Sequence, residues 1–184
     1  MERVDLDNNA IDDSIVRVAK FEKVSAEQFI ADYIKLYSEV PIDEIMKIYN
    51  NITLPHRATS GSAGYDFHST VSRVLNPRQS ITIPTGVRAK ISHGWLLKLY
   101  PRSSYGMKYR MQRDNTVGII DSDYYYANNE GHIMMKITND STSSASMDLQ
   151  VGDRFAQGIF IPYGICTDDN VETKRTGGLG STGV

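Results

Sequence analysis

The chain has 184 residues, of which 40% are hydrophobic and 23% are charged, and its formal net charge at pH 7 is −2. These values are typical of one soluble globular domain, and the small net charge gives no reason to expect a nucleic-acid partner. The single cysteine, Cys166, excludes an internal disulfide and a zinc site built from cysteines. The sequence shows no apolar run of membrane-spanning length and begins with acidic and polar residues, so we expect a cytoplasmic protein without a membrane segment.

The first part of the chain predicts one short strand and two amphipathic helices. The strand-like stretch is Ile15–Phe21. Ser25 and Gln28 then form a capping-box pattern, which predicts the start of a helix, and Pro41 marks the start of a second, shorter helix. We expect the apolar faces of both helices to pack against the rest of the protein; a helical hairpin that binds a partner protein is the alternative. The residues on the apolar face of the first helix are Phe29, Ile30, Tyr33, Ile34 and Tyr37.

From Ile52 onward, short apolar stretches rich in β-branched and aromatic residues alternate with Gly, Pro, Asn, Asp and Ser. This pattern is typical of strands and turns. Strands that are short and numerous favour a sandwich, a jelly roll or a barrel over alternating βα units. The predicted strands are Ser80–Ile83, Val87–Ile91, Trp95–Tyr100, Thr116–Ile120, His132–Thr138 and Phe155–Ile161.

A pair of carboxylates follows one of these strands. Asp121 and Asp123 are two residues apart, so both side chains point to the same side in extended backbone. One of them could act as a general base toward water. The alternative, which this stretch alone favours, is an Asx turn that ends the strand.

Three further stretches carry side chains that suit phosphate or a metal. Arg102 precedes two serines, and guanidinium and hydroxyl donors together suit phosphate oxygens. Arg154 and Gln157 supply further donors, with a salt bridge and a surface amide as the simpler interpretation. Asp66 lies among small residues, where it would either orient hydrated magnesium or accept hydrogen bonds from the backbone.

The chain closes on a glycine-rich string of the GxGxxG type at residues 178–183. A dinucleotide-binding fold needs a strand before such a string and a helix after it, whereas only Val184 follows here. The string also lacks the lysine of a Walker A motif, and the four histidines show no metal-binding spacing. The string therefore suits phosphate without fitting either common phosphate-binding fold.

Taken together and in order, five stretches resemble the five motifs of the trimeric dUTP pyrophosphatases, or dUTPases. The resemblance runs from about Leu54 to the C-terminus, and the extra residues after Tyr124 are similar to dUTPases of Gram-positive bacteria and their phages. The five stretches are AGYDF at 63–67, PRSS at 101–104, GIIDSDY at 118–124, GDRFAQ at 152–157 and RTGGLGSTG at 175–183.

The resemblance implies an all-β subunit, a jelly roll or distorted β-barrel with a short N-terminal helical insertion. Three subunits would form a homotrimer whose active sites are shared between chains. The implied divisions are residues 1–53 as a strand with a helical extension, 54–166 as the β core, and 167–184 as a flexible arm. This arm would reach the site of a neighbouring subunit and close over the nucleotide.

The resemblance also implies a reaction: Mg²⁺-dependent hydrolysis of dUTP at the α-phosphate to dUMP and pyrophosphate, which limits uracil incorporation into DNA. Asp121 would activate the attacking water, Asp66 would meet the metal through water, and Arg154 would support the site. The nucleotide would be bound by Arg102, Ser103, Ser104 and Gln157 at the triphosphate, by Asn115, Ile119, Ile120 and Met134 at uracil, by Tyr124 at the sugar, and by Arg175, Leu179, Gly180, Ser181 and Thr182 from the arm.

Two departures and two alternatives accompany this interpretation. Leu179 replaces the aromatic residue that usually stacks on uracil, so we expect weaker closure of the arm. The stretch Tyr125–Glu130 replaces the usual short turn. A dCTP deaminase of the same fold is the nearest alternative enzyme. The other alternative is a regulatory module that binds a protein partner through the helical segment 25–49 or through the insertion.

Overall fold

The computed structural model describes residues 15–173, 175 and 177, and within them the chain is mostly β-structure. The helices are α1 (Ala26–Leu36), α2 (Ile42–Asn50) and α3 (Ser103–Tyr109), and a 3₁₀ turn covers Ser122–Tyr126. The strands are β1 (Ala19–Lys23), β2 (His56–Arg57), β3 (Tyr65–His68), β4 (Arg73–Leu75), β5 (Ser80–Pro84), β6 (Val87–Ile91), β7 (Trp95–Pro101), β8 (Gln112–Arg113), β9 (Gly118–Ile120), β10 (Met134–Thr138), β11 (Met147–Leu149) and β12 (Arg154–Pro162).

The largest sheet has five strands in the order β2-β3-β12-β7-β9, and every neighbouring pair is antiparallel. A second sheet has the order β5-β10-β8, and the pairs β1-β6 and β4-β11 are two-stranded. At the centre of the large sheet, Gly158 of β12 leaves no room for a side chain, because a Cβ there would lie 2.8 Å from Leu97 and 3.0 Å from Phe67. The all-β prediction is confirmed, with several small sheets packed around one core.

The N-terminal helices belong to the same hydrophobic core as the strands. Phe29, Tyr33 and Ile45 are buried in that core, and Phe21 of β1 packs its ring against Phe67 of β3. The apolar face of α1 is therefore covered by the protein's own strands. This arrangement is the packing expected from the sequence, and it leaves that face unavailable to the partner proposed in the alternative.

The capping box predicted at the start of α1 forms only in part. The Ser25 hydroxyl accepts a hydrogen bond from the Gln28 backbone N–H, as expected. The reciprocal bond to the Ser25 backbone N–H comes from the carboxylate of Glu130, because the Gln28 side chain donates to Asp32 instead. A residue of the insertion after Tyr124 thus completes the cap of the N-terminal helix.

Candidate active site

One group of motif residues lies around Asp66, which is 6% exposed on β3. The Arg102 Nε atom lies 3.4 Å from Asp66 Oδ1, and Arg154 Nη1 donates to Asp66 Oδ2 at 3.3 Å. These contacts follow from the sheet order, because β12 lies between β3 and β7. A buried carboxylate thereby holds two guanidinium groups at one end of the sheet.

Gln157 extends this group, since it pairs with Asp66 on one side of β12 and with Tyr100 on the other. Its side chain lies over Gly64, where an added Cβ would be 2.7 Å from Gln157 Oε1. Gly64 therefore leaves the space that the Gln157 amide occupies. Ser103 and Ser104 begin α3 directly after Arg102 with exposed side chains. We refer to Asp66, Arg102, Ser103, Ser104, Arg154 and Gln157 as the phosphate cluster.

Asp121 lies elsewhere, after β9 and before the 3₁₀ turn. Arg175 Nη2 donates to Asp121 Oδ2 at 2.6 Å, and Arg175 Nε donates to Asp123 Oδ1 at 3.0 Å. Burial raises the pKa of Asp121 above its ordinary value; Arg175 opposes that rise and Asp123 adds to it. Both carboxylates share one guanidinium, although Asp123 lies in a 3₁₀ turn and not in the extended backbone assumed from the spacing.

Tyr124 forms the inner wall beside Asp121 and is 1% exposed. Its hydroxyl donates to the His132 carbonyl oxygen at 2.9 Å and accepts from Asn129 Nδ2 at 2.9 Å. The guanidinium carbon of Arg175 lies 5.8 Å from the ring centroid. Arg175 therefore covers both the carboxylates and the aromatic ring beside them.

The turn between β8 and β9 carries Asn115, which is exposed. Arg113 Nε donates to Asn115 Oδ1 at 3.3 Å. Arg113 is 5% exposed. Among the described residues, its Nη1 atom has no hydrogen-bond partner, and its guanidinium forms no ion pair. Burial lowers the pKa of this guanidinium. No pattern in the sequence distinguished Arg113 from a surface arginine.

The strands that carry Ile119, Ile120 and Met134, which the resemblance brings together at uracil, do not pair with each other. Ile119 is 48% exposed on β9 and Ile120 is buried. The strand that follows Tyr124 does not pair with β9: β9 pairs with β7, whereas β10 pairs with β5 and β8, and Met134 lies opposite Pro84. The insertion carries the chain away from β9 before β10 begins, which places Met134 in the other sheet.

The phosphate cluster and Asp121 occupy opposite ends of β7. Ile120 pairs with Leu97 near the beginning of β7, whereas Arg102 follows its last residue. Leu97 and Arg102 are five positions apart, which corresponds to about 17 Å of extended strand. Within one chain, side chains from these two ends do not meet at a single phosphorus atom.

The profile of the dUTPase family matches residues 50–183. The chain is also 38% identical over 146 residues to the deoxyuridine 5'-triphosphate nucleotidohydrolase of Lactococcus lactis, an alignment that covers 77% of this chain and 96% of the relative. The chain belongs to the dUTPase family.

Further relatives agree with this assignment. The deoxyuridine 5'-triphosphate nucleotidohydrolase of Hahella chejuensis is 34% identical and covers 75% of this chain and 91% of its own length. The crystal structure of the dUTPase from Streptococcus mutans matches with a TM-score of 0.58 at 32% identity, covering 79% of this chain and 97% of that one. A dUTPase of Staphylococcus bacteriophage 80alpha shares the fold at 20% identity, with a TM-score of 0.59 and coverage of 92% and 100%.

The surroundings of Asp66 fit a magnesium ion that is bound mainly by the phosphates of a nucleotide. Two guanidinium groups hold the carboxylate, each oxygen keeps a further lone pair, and Asp66 is too enclosed to ligate a metal together with other carboxylates. Across residues 15–173, 175 and 177, no three His, Cys, Asp or Glu side chains are grouped so as to hold a metal. Mg²⁺ commonly keeps its waters and binds through substrate phosphates, which fits an indirect contact.

The arm is described only in part. Leu179, Gly180, Ser181 and Thr182, predicted to bind the nucleotide, lie outside the described residues. Arg175, the first residue of the glycine-rich stretch, contacts Asp121 and Asp123 of its own chain. No helix within the described parts of the chain is long and apolar enough to cross a membrane.

Proposed function

We propose that this member of the dUTPase family hydrolyses dUTP to dUMP and pyrophosphate, the substrate named for its relatives from Lactococcus lactis and Hahella chejuensis. The observation that carries the proposal is Asp121, a carboxylate of raised pKa that ends β9 beside the buried ring of Tyr124. A general base needs a pKa closer to the working pH than that of an ordinary aspartate. The names of these relatives do not favour the deaminase alternative.

In the proposed reaction, Asp121 accepts a proton from a water molecule while the water oxygen forms a bond to the α-phosphorus. The bond from the α-phosphorus to the oxygen that bridges it to the β-phosphorus breaks, and pyrophosphate leaves with the electron pair. The phosphate cluster holds the triphosphate, and its cationic and hydroxyl donors stabilise the negative charge that develops. Arg154 acts indirectly, because its hydrogen bond holds Asp66 in place.

Asp66 would hold magnesium through water, and the bound ion would disperse the negative charge of the triphosphate. The protein contributes the orientation of Asp66, which Arg102 and Arg154 hold from two sides. A dUTPase from a phage of Staphylococcus aureus, 20% identical to this chain, has been described with a structural Mg(II) ion.

The nucleoside would lie against the Asp121 end of β7. Asn115 and the backbone of Ile119 and Ile120 would contact uracil, and Met134 would contribute from β10. The Tyr124 ring would pack on the deoxyribose and leave no space for a 2′-hydroxyl. A site of this kind rejects cytosine, because a reversed donor leaves buried groups unpaired.

The separation of Asp121 from the phosphate cluster along β7 supports an active site shared between subunits of a homotrimer. One chain would supply Asp121 and Tyr124, and a neighbour would supply its phosphate cluster. Cyclic oligomers repeat one interface, so each of the three sites would be complete.

The arm would close over the bound nucleotide. Arg175 covers Asp121 and the Tyr124 ring in the single chain, so it must leave them before a sugar can pack there. Its guanidinium would then move to the triphosphate. Ser181 and Thr182 would bind the terminal phosphate, Gly180 would let the backbone approach it, and Leu179 would cover uracil.

The test supplies the full chain and Mg²⁺ with dUTP, dCTP, dTTP and dATP in separate reactions and measures pyrophosphate and ammonia. We expect pyrophosphate from dUTP, and from the others far less. Ammonia released from dCTP would instead support the deaminase alternative. The Asp121→Asn variant keeps the side-chain shape, and we expect its kcat to fall by about 100-fold or more. Unchanged turnover in this variant would remove Asp121 from the proposed role.

A further inference from the structure

The two insertions of this chain, the N-terminal helices and the stretch after Tyr124, contact each other closely. Glu130 accepts hydrogen bonds from the Ser25 backbone N–H at 2.8 Å and from the Ser25 hydroxyl at 2.6 Å. The Tyr125 hydroxyl donates to Glu22 at 2.6 Å. Arg88 of β6 lies over the Tyr125 ring at 4.4 Å. The start of α1 and the insertion therefore form one connected unit.

A buried pair at the centre of this unit joins α1 to the wall beside Asp121. Asp32 is 4% exposed and His132 is 0% exposed, and Nδ1 of His132 lies 2.8 Å from Asp32 Oδ2. The other ring nitrogen, Nε2, accepts the Gly86 backbone N–H at 2.8 Å. Because Nε2 accepts, it carries no proton, so Nδ1 carries the proton of a neutral ring and donates it to Asp32. Both ends of the imidazole are thus fixed.

The backbone of the same histidine holds Tyr124. The His132 carbonyl oxygen accepts from the Tyr124 hydroxyl at 2.9 Å, and Asn129 donates to that hydroxyl from the other side. The contacts of the ring with Asp32 and Gly86 anchor His132, and a displacement of its backbone would move the acceptor that orients the Tyr124 ring. The chain of contacts runs from Gln28 to Asp32 to His132 to Tyr124 without a gap.

We propose that Asp32 and His132 are positioning residues for sugar selection: they hold the Tyr124 ring at the distance at which a deoxyribose fits and a ribose does not. The inference rests on the proposed function, in which Tyr124 packs on the sugar of dUTP. It assigns the N-terminal helix a role in substrate discrimination, which neither the five motifs nor the burial of the helix implies. A steric filter depends on tenths of an ångström, and a buried, fully paired network supplies that rigidity.

The experiment measures kcat/KM for dUTP and for UTP in the full-length protein and its variants, together with the melting temperature. In Asp32→Ala the His132 N–H loses its acceptor, and we expect the dUTP-over-UTP ratio to fall by about tenfold. Asp32→Asn keeps a carbonyl acceptor at the same place, and we expect it to retain most of the ratio. Equal ratios in wild type and Asp32→Ala would overturn the inference.

A matched control separates positioning from stability. Tyr37→Phe also removes one hydrogen bond between α1 and the strands, because the Tyr37 hydroxyl donates to the Thr82 carbonyl, but it has no contact with His132. We expect a lower melting temperature and an unchanged dUTP-over-UTP ratio. If Tyr37→Phe lowers the ratio as much as Asp32→Ala does, the effect is general loosening and the inference is wrong.

A double-mutant cycle tests whether the effect passes through Tyr124. Tyr124→Phe removes the hydroxyl that His132 holds, so adding Asp32→Ala to it should lower the ratio no further. Independent, multiplicative losses would contradict the inference.

If Asp32→Ala does not fold, Gln28→Met is the alternative variant. It removes the half-buried amide that holds Asp32, and we expect a smaller fall in the dUTP-over-UTP ratio. A wild-type protein that does not hydrolyse dUTP would refute the proposed function itself. If the wild type hydrolyses dUTP and rejects UTP, and the variants do so equally well, only this inference is refuted.

Discussion

The two ends of β7 carry two differently built halves of the candidate site. At the Arg102 end, charged side chains from adjacent strands meet at one buried carboxylate, Asp66, and the serines beside them stay exposed. At the Asp121 end, a buried hydrogen-bond network joins Asp32 and His132, which are 100 positions apart, and holds the Tyr124 ring.

In the proposed function, the two halves have different tasks. A triphosphate brings strong negative charge, so a few donors at one end of a sheet would suffice to bind it, and their geometry is set by strand pairing. Selection of a base or a sugar depends on shape and on unpaired groups, and therefore needs walls that do not move. Asp66 and its guanidinium partners meet through strand pairing, whereas the Tyr124 ring is held by side-chain contacts between α1 and the residues before β10.

The largest expected effect concerns the separation of the two halves. Asp121→Asn and Arg102→Ala should each lower kcat/KM by about 100-fold or more, because one lacks the base and the other a triphosphate donor. If one chain supplies Asp121 and another supplies Arg102, co-expressed variants form some sites with both residues intact. We expect about a quarter of the wild-type activity from randomly mixed trimers, measured as pyrophosphate release.

The control is the doubly substituted chain co-expressed with either single variant, a mixture in which no site can hold both intact residues and which should stay inactive. A mixture of the two single variants that stays as inactive as each variant alone would show that both residues serve the same chain's site. Size-exclusion chromatography with light scattering measures the oligomeric state of the same samples, and native mass spectrometry shows whether mixed oligomers form.

Several strands could be predicted because their patterns are local. The expected strands Ser80–Ile83, Val87–Ile91 and Trp95–Tyr100 agree with β5, β6 and β7 to within one residue. Very short strands such as β2, β4 and β8 were missed, since two or three residues carry no detectable alternation. The Asp66 carboxylate was singled out, but its two guanidinium partners depend on sheet order, which the sequence leaves open.

The Asp121 end was less predictable because its partners are far apart in sequence. The strand expected to begin at Thr116 begins at Gly118, since Thr116 adopts a left-handed conformation with φ of 62° in a tight turn. His132 was expected to begin a strand, yet it lies before β10 and is fully buried. Nothing in the local sequence pairs it with Asp32 on the first helix.

A smaller effect tests how the phosphate cluster is packed. In Gly64→Ala the new methyl group would lie 2.7 Å from Gln157 Oε1, and the flexible amide must move away. We expect KM for dUTP to rise by about tenfold, the loss of one hydrogen bond to a charged phosphate, while the melting temperature changes little. Gly61→Ala is the matched control, because no atom lies within 4 Å of its Cβ. Equal KM values in both variants would remove Gln157 from triphosphate binding.

A third prediction concerns the unpaired guanidinium beside Asn115. Arg113→Met keeps a long side chain in the same space and removes a buried charge that has no ion-pair partner among the described residues. We expect the free energy of unfolding to rise by about 1 kcal/mol. We also expect discrimination of dUTP from dCTP to fall, because Asn115 loses the donor that orients its amide. Urea unfolding and the two kcat/KM values measure both effects, and a destabilised variant with full discrimination would contradict both.

The smallest expected effect concerns the contact between Arg175 and Asp121. Burial raises the pKa of Asp121, and Arg175 opposes that rise. Catalysis needs the ionised carboxylate, so kcat/KM falls as pH drops through this pKa, and Arg175→Gln should move the fall to higher pH. The pH dependence of kcat/KM reports the ionisation of groups in the free enzyme. The shift in the profile therefore tests the contact between Arg175 and Asp121 before the nucleotide binds, even if the variant binds dUTP more weakly. Arg175→Lys keeps the positive charge and should shift the pH profile less. If the acidic limbs of the wild-type and Arg175→Gln profiles coincide, Arg175 does not contact Asp121 in solution.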